Sequence, residues 1–113
     1  MGIIEARLKS MGVTLPVPAP PVANYVPWAK SGQLVFISGQ LPLRDGRLEA
    51  IGKVGHNLTI EEAAEAAQLC AINILAQLRD ACGGDLDRVK RIVKLTGFVN
   101  SASEFHLQPA VIN

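Results

Sequence analysis

The nucleophile and base candidates in this 113-residue sequence are two cysteines, Cys70 and Cys82, and two histidines, His56 and His106. A catalytic cysteine needs a neighbouring group that lowers its pKa, and neither cysteine has a histidine beside it in the sequence. Both cysteines fall in one predicted helix, about 18 Å apart by helical rise. We therefore predict structural roles for the cysteines and surface or capping roles for the histidines. Because no Cys-x-x-Cys or His-x-x-x-His spacing occurs, we predict no metal site.

A concentrated run of positive charge lies late in the chain and comprises Arg88, Lys90, Arg91 and Lys94. RNA binding would combine such charges with aromatic side chains that stack on bases. Only Phe98 and Phe105 follow nearby. Phe98 would lie on the same face of a strand as the two lysines, so the pattern favours a solvated strand face. A net charge of +1 adds no general attraction for nucleic acid. Nucleic acid is therefore disfavoured as a partner.

The remaining candidate is Ser38-Gly39-Gln40, which directly follows an apolar run and is preceded by Tyr25 at the end of a proline-rich stretch. Loops at strand ends can present a hydroxyl and bare backbone to a ligand, and glycine permits close approach. An ordinary turn is the alternative that these residues leave open.

The elements that would position this segment begin with a predicted helix over residues 1–12, where Ile4, Leu8 and Met11 recur at helical spacing. Five prolines between Pro16 and Pro27 exclude helix and central strand, and they predict an extended arm over residues 13–28. Tyr25 and Trp28 indicate that this arm packs on the domain and is not a free linker.

Leu34–Ile37 is rich in strand-forming residues and predicts a strand buried on both faces. The Asp45-Gly46 pair predicts a hairpin or bulged excursion that extends to about Val54. Thr59 and Glu62 match a capping box, which predicts a helix from Ile60 to Cys82. The helix should end at Gly83-Gly84.

Apolar and polar residues alternate after this helix, which predicts a second strand with Val89, Val93, Leu95 and Val99 on its buried face. Ser103 and Glu104 then predict the start of another helix. Two strands and an unfinished helix would leave open sheet edges. We therefore expect either further residues after Asn113 or a second subunit that covers the gap.

The composition fits one folded domain over residues 1–113, with 49% hydrophobic and 19% charged residues. No stretch approaches the roughly 20 apolar residues that cross a bilayer. The N-terminal segment also lacks the apolar core of a signal peptide. We predict a cytoplasmic protein with no membrane partner.

One pattern spans the arm and the first predicted strand: Tyr25, Gly32 seven positions later, and LVFISGQLP over Leu34–Pro42. This pattern resembles the YjgF/Rid family, the reactive intermediate deaminases also labelled endoribonuclease L-PSP or translation inhibitors. The run Gly83–Lys94 is similar to the family's second strand after its long helix. The Ala23-Asn24-Tyr25 form indicates a divergent subgroup.

The resemblance implies an α+β, chorismate-mutase-like fold with helices on one face of a mixed sheet. It also implies a homotrimer with ligand clefts between subunits and no metal or organic cofactor. The implied reaction is hydrolysis of a reactive enamine or imine, such as 2-aminoacrylate, to a 2-keto acid and ammonia. Tyr25 would wall the pocket of this small anionic ligand, and Ser38 and Gly39 would line it.

The chain departs from the family pattern at two catalytically relevant places. The family's carboxylate-binding arginine lies in a strand after the second helix, beyond Asn113, and no arginine of this chain stands in the matching motif. Pro109 also occupies the position of a family asparagine. We therefore assign no catalytic residue. The alternative function is a non-catalytic trimeric protein that binds a small ligand or interacts with RNA.

Overall fold

The computed structural model describes residues 2–113, which form three α-helices and two short hairpins. In chain order they are α1 (Ile3–Ser10), β1 (Trp28–Ser31), β2 (Leu34–Ile37), β3 (Leu43–Arg44), β4 (Arg47–Leu48), α2 (Ile60–Ala81) and α3 (Gln108–Ile112). A single 3-10 turn spans Leu86–Arg88. Strands β1 and β2 pair antiparallel, as do β3 and β4. The predicted α+β class is confirmed.

The chain divides into two compact units, each with its own core. The first unit contains residues up to Gln40 and Ile72–Val93, and the second contains Leu41–Ala71 and Lys94–Asn113. Leu78, Cys82 and Leu86 are buried together in the first unit. Val54, Ala63 and Val111 form the buried cluster of the second. The expectation of one domain over residues 1–113 stays a prediction.

Helix α2 begins where its capping box predicts. The Thr59 hydroxyl accepts from the Glu62 N–H at 3.1 Å, and the Glu62 carboxylate accepts from the Thr59 N–H at 3.0 Å. Hydrogen bonding to the Glu62 carboxylate, first from the Thr59 backbone N–H and then from the Thr59 side chain, lowers the pKa of Glu62. The helix ends at Ala81, shortly before Gly83 and Gly84, whose φ values of 67° and 93° suit glycine.

The predicted hairpin at Asp45-Gly46 is confirmed, although it is shorter than expected. Asp45 and Gly46 have φ values of 51° and 79°, the left-handed pair that a two-residue turn requires. The pairing ends at Leu48, and the chain reaches Val54 without further ladder.

Strand β2 corrects the prediction that Leu34–Ile37 is buried on both faces. Val35 and Ile37 pack against the core of the first unit, whereas Leu34 and Phe36 are exposed, Phe36 by 58%. Successive side chains of a strand point to opposite faces. The hairpin therefore buries one face and leaves the other apolar face uncovered.

The predicted strand between Val89 and Val99 is wrong for the described residues. Val93 and Leu95 are exposed, and no strand among residues 2–113 pairs with residues 90–99. Alternation indicates which side chains share a face, but a strand also needs a hydrogen-bonded neighbour.

The predicted helix start at Ser103-Glu104 is also wrong, since α3 begins at Gln108. Gln108 donates to the Ser101 hydroxyl and to the Phe105 carbonyl. Pro109 lies in the first turn, where its fixed φ and missing N–H are tolerated.

Helix α1 takes its N-terminal cap from a distant carboxylate. Gly2 precedes the helix and has no side chain, and the Asp87 carboxylate accepts from the N–H groups of Ile3 at 2.8 Å and Ile4 at 2.9 Å. These bonds, first that of Ile4 and then that of Ile3, lower the pKa of Asp87. The carboxylate also complements the positive end of the helix dipole.

We expect Asp87→Asn to reduce stability in a pH-dependent way. Because the folded pKa of Asp87 lies below its unfolded value, the carboxylate stabilises fully above the ordinary Asp pKa of about 3.9. This contribution is lost as the pH falls through the lower folded pKa. The thermal midpoint of the variant should lie below that of the wild type at pH 7, and the gap should close in acid. A gap that is constant with pH would contradict the charged cap.

Candidate functional site

The three predicted binding residues all lie in the first unit, around the β1–β2 hairpin. The register pairs Trp28 with Ile37 and Ser31 with Leu34, and Gly32 allows the tight turn with a φ of 59°. The hairpin therefore returns the end of β2 to the start of β1, where the proline-rich arm arrives.

Ser38 is fixed to this arm by two hydrogen bonds to one oxygen. Its backbone N–H and its hydroxyl each donate to the Pro27 carbonyl at 3.0 Å. The Gln40 side-chain amide donates to the Ser38 carbonyl at 3.1 Å. Since its hydroxyl proton is committed to Pro27, Ser38 suits a positioning and hydrogen-bond-accepting role better than that of a nucleophile.

Gly39 and Tyr25 are the open parts of this region. A Cβ atom added at Gly39 would meet nothing within 4 Å, so a ligand could approach the backbone there. Tyr25 is 42% exposed, and its N–H donates to the Ala23 carbonyl at 2.8 Å. Tyr25 and Pro27 are two positions apart in the chain, so their Cα atoms lie within about 7 Å. The structure thus brings Ser38 directly to the Tyr25 end of the arm.

Trp28 anchors the entry of the hairpin. Its indole N–H donates to the Asp80 carboxylate at 3.0 Å, and the Lys30 ammonium lies 5.6 Å from the centre of its ring. Such a distance allows a cation–π attraction. Sequence analysis did not identify the Trp28–Asp80 contact, because the two residues are 52 positions apart.

The second unit contains a separate cleft of about 270 Å³. Its lining includes Glu49, Glu62, Glu65 and Arg44, and Arg44 pairs with Glu49. The cleft therefore has a net negative charge, which repels a small anion. This cleft was not predicted, since it forms where the β3–β4 hairpin meets the first turns of α2.

The cysteines do not form a nucleophilic site. Cys82 is buried and Cys70 half-buried, and burial raises the pKa of the Cys70 thiol, which disfavours the reactive thiolate. Among residues 2–113, no three His, Cys, Asp or Glu side chains gather closely enough to hold a metal ion. Nor does any helix of that range have the length and apolar character to span a membrane.

Two solved structures resemble the chain in fold and sequence. The protein Atu1372 of Agrobacterium tumefaciens, described as of unknown function, is 50% identical with a TM-score of 0.89. The match covers 96% of this chain and 66% of that protein. A protein of Shewanella oneidensis described as a "putative endoribonuclease" is 35% identical with a TM-score of 0.91. That match covers 96% of this chain and 71% of the Shewanella protein.

Sequence comparisons agree with the structural ones. Protein TCP17 of Trypanosoma cruzi is 44% identical over 112 residues, which are 99% of this chain and 69% of TCP17. Residues 5–112 match the profile of the family described as "YjgF/chorismate mutase-like, putative endoribonuclease". With nearly the whole chain matched, the protein belongs to the YjgF/chorismate mutase-like family.

Proposed function

We propose that the protein hydrolyses small reactive enamines or imines of the 2-aminoacrylate type, releasing a 2-keto acid and ammonia. The substrate would occupy the Tyr25, Ser38 and Gly39 region. The observation that carries this proposal is the fixed Ser38-Gly39 bend, in which Ser38 is held by Pro27 and the space beside Gly39 is open.

The chemistry requires little more than placement and charge complementarity. Transfer of a proton from the nitrogen to the carbon of the enamine gives the imine, and water adds to the imine carbon to form a carbinolamine. Its hydroxyl proton then passes to the nitrogen, and the carbon–nitrogen bond breaks to give the keto acid and ammonia. The Ser38 oxygen retains lone pairs that could accept a hydrogen bond from the substrate nitrogen or the water. A site that preorganises such groups lowers the barrier without a covalent intermediate.

We further propose that the protein is a homotrimer whose sites are completed by neighbouring subunits. The uncovered face of the β1–β2 hairpin, formed by Ala29, Ser31, Leu34 and Phe36, supports this proposal. A two-stranded hairpin with an exposed apolar face is marginal by itself and is stabilised when a second surface covers it.

The proposed reaction can be tested by generating 2-aminoacrylate enzymatically from serine and following the release of pyruvate and ammonia. Release should be faster with the protein than in buffer, in proportion to protein concentration. A rate equal to that in buffer, with the substrate-generating enzyme in excess, would reject the deaminase proposal.

RNA interaction is the second candidate, and one observation favours it. Phe98 is 95% exposed on the segment that also exposes Lys90, Arg91 and Lys94. An exposed ring that follows cations along the chain could stack on an unpaired base.

If this segment binds RNA, the double variant Lys90→Ala and Lys94→Ala should weaken binding of a single-stranded oligonucleotide. Loss of two phosphate contacts should reduce the slope of log affinity against log salt by about 1.4. Fluorescence anisotropy over a salt series measures both quantities. Lys53→Ala, at an exposed position of the second unit, is the control. Equal affinity and slope in the double variant and the control would exclude this surface.

A further inference from the structure

The most deeply buried large side chain among the described residues is polar. Gln77 is 1% exposed, although it lies in the C-terminal half of α2. It follows Ile74 by three positions and precedes Ala81 by four, which places it on the apolar face of the helix. A buried amide costs free energy unless its hydrogen bonds are made. A glutamine on this face therefore calls for an explanation from its contacts.

The side-chain amide of Gln77 donates a hydrogen bond to the proline-rich arm. Its Nε2 donates to the Ala19 carbonyl at 2.8 Å. Its Oε1 is buried and has no hydrogen-bond partner among residues 2–113. Filling the core does not account for this residue, because leucine or methionine would fill the same volume without burying an unpaired oxygen.

The arm needs donors from outside itself. Prolines have no N–H, so a segment with prolines at 16, 18, 20, 21 and 27 cannot join a regular ladder. Backbone N–H groups serve the Ala23 and Pro27 carbonyls, and the other carbonyls of the arm depend largely on side chains or water. Arg79, which also pairs with Glu5, reaches the Pro16 carbonyl at a longer 3.4 Å. Gln77 provides the shorter bond, and that bond lies nearer the middle of the arm.

Tyr25 lies between two fixed points of this arm. On one side, Ala19 is held by Gln77, and on the other, Pro27 is held by both donors of Ser38. Residues 20–26 between these two hydrogen-bonded points are exposed. The hydrogen bonds at Ala19 and Pro27 therefore restrict the positions that Tyr25 can occupy.

We infer that Gln77 is a positioning residue for the Tyr25 side of the ligand site, acting through the Ala19 carbonyl without contacting the ligand. This inference rests on the proposed function. A glutamine retained only as core filler would leave the arm unaffected when replaced by an apolar residue of similar size. The positioning role predicts a looser arm and weaker ligand binding in a fully folded protein.

The test compares Gln77→Leu and Gln77→Met with Gln68→Leu, a change at an exposed glutamine of the same helix. The first readout is the initial rate of chymotrypsin cleavage after Tyr25, identified by mass spectrometry. Loss of one neutral hydrogen bond should raise it about fivefold, since cleavage follows the population of the opened arm. Cleavage after the exposed Phe98 should not change and is the internal reference.

The second readout is the kinetics of imine hydrolysis. The Gln77 variants should raise KM about fivefold and leave kcat within about twofold, because a mobile Tyr25 weakens binding of substrate and transition state alike. Their unfolding midpoints should equal or exceed that of the wild type, since the unpaired oxygen is removed.

Unchanged cleavage after Tyr25 in both Gln77 variants would overturn the inference, whatever the kinetics. A lower kcat together with a lower unfolding midpoint in both Gln77 variants would also overturn the inference, since a purely structural role gives that result. A wild type without hydrolysis would reject the proposed function, while the cleavage rates would still decide whether Gln77 holds the arm. The leucine and methionine variants guard against a folding defect specific to either side chain.

Discussion

Replacing Phe36 by glutamate should separate the protein into single chains and abolish imine hydrolysis. Phe36 is 58% exposed on the uncovered face of the β1–β2 hairpin, so the chain itself should fold normally. In the proposed trimer this ring would be buried, and a carboxylate at the same place would leave an unpaired charge in an apolar interface. Each subunit would lose roughly 1.5–3 kcal/mol of apolar burial in addition.

Light scattering after size-exclusion chromatography measures the effect. We expect three chain masses for the wild type and one for Phe36→Glu, with hydrolysis reduced to the rate in buffer. Ile51→Glu introduces the same charge at another exposed apolar residue, in the second unit, and should leave both mass and activity unchanged. A trimeric, active Phe36→Glu protein would show that this face is not the subunit interface.

Gly39→Val should greatly reduce hydrolysis without reducing stability. The φ of Gly39 is not in the left-handed region, and an added Cβ would meet nothing within 4 Å. The backbone therefore accepts a side chain, and the valine methyls would occupy the space reserved for a ligand in our proposal. Exclusion by groups of this size should lower kcat/KM by about tenfold or more.

Ala6→Val, at an exposed position of α1, is the matched control for Gly39→Val. Gly39→Val should unfold at the wild-type denaturant concentration and Ala6→Val slightly below it, because valine costs a helix up to about 0.7 kcal/mol relative to alanine. Only Gly39→Val should lose activity. Wild-type kcat/KM in Gly39→Val would remove Gly39 from the site. A large loss of stability would instead assign the glycine a role in the turn.

Short-range chemistry made parts of this fold predictable from the sequence. Thr59 and Glu62 define the start of α2 through bonds within one turn. Asp45-Gly46 defines its hairpin in the same way, because only these residue types adopt the required φ without strain. Such elements depend on residues a few positions apart, which a sequence displays directly.

Elements that depend on distant partners were less predictable. The apolar run Leu34–Ile37 indicated a strand but not that Phe36 would be uncovered. The alternation around Val93 indicated which side chains would share a face, but it did not show whether another strand would pair with them. The cap of α1 by Asp87 and the tie from Gln77 to Ala19 each join residues far apart in the chain. One signal for Gln77 was present: a polar residue within the apolar period of α2.

For the candidate site, the sequence suggested Tyr25, Ser38 and Gly39, and the fold explains part of that suggestion. The hairpin register returns Ser38 to Pro27, next to the Tyr25 end of the arm. Neither the commitment of the Ser38 proton to Pro27 nor the two ties of the arm could be inferred from residue types, because both depend on the path of the arm.

Chemical-shift mapping with the stable product analogue 2-oxobutanoate tests the central claim most directly. Titration of isotope-labelled protein should shift the amide signals of Ser38 and Gly39 and the ring signals of Tyr25, with saturation at a common dissociation constant. The signals of Glu49 and Glu65, in the acidic cleft, should stay in place. Saturable shifts confined to that cleft, or no shifts around Gly39, would contradict a small-anion site at the Ser38 bend.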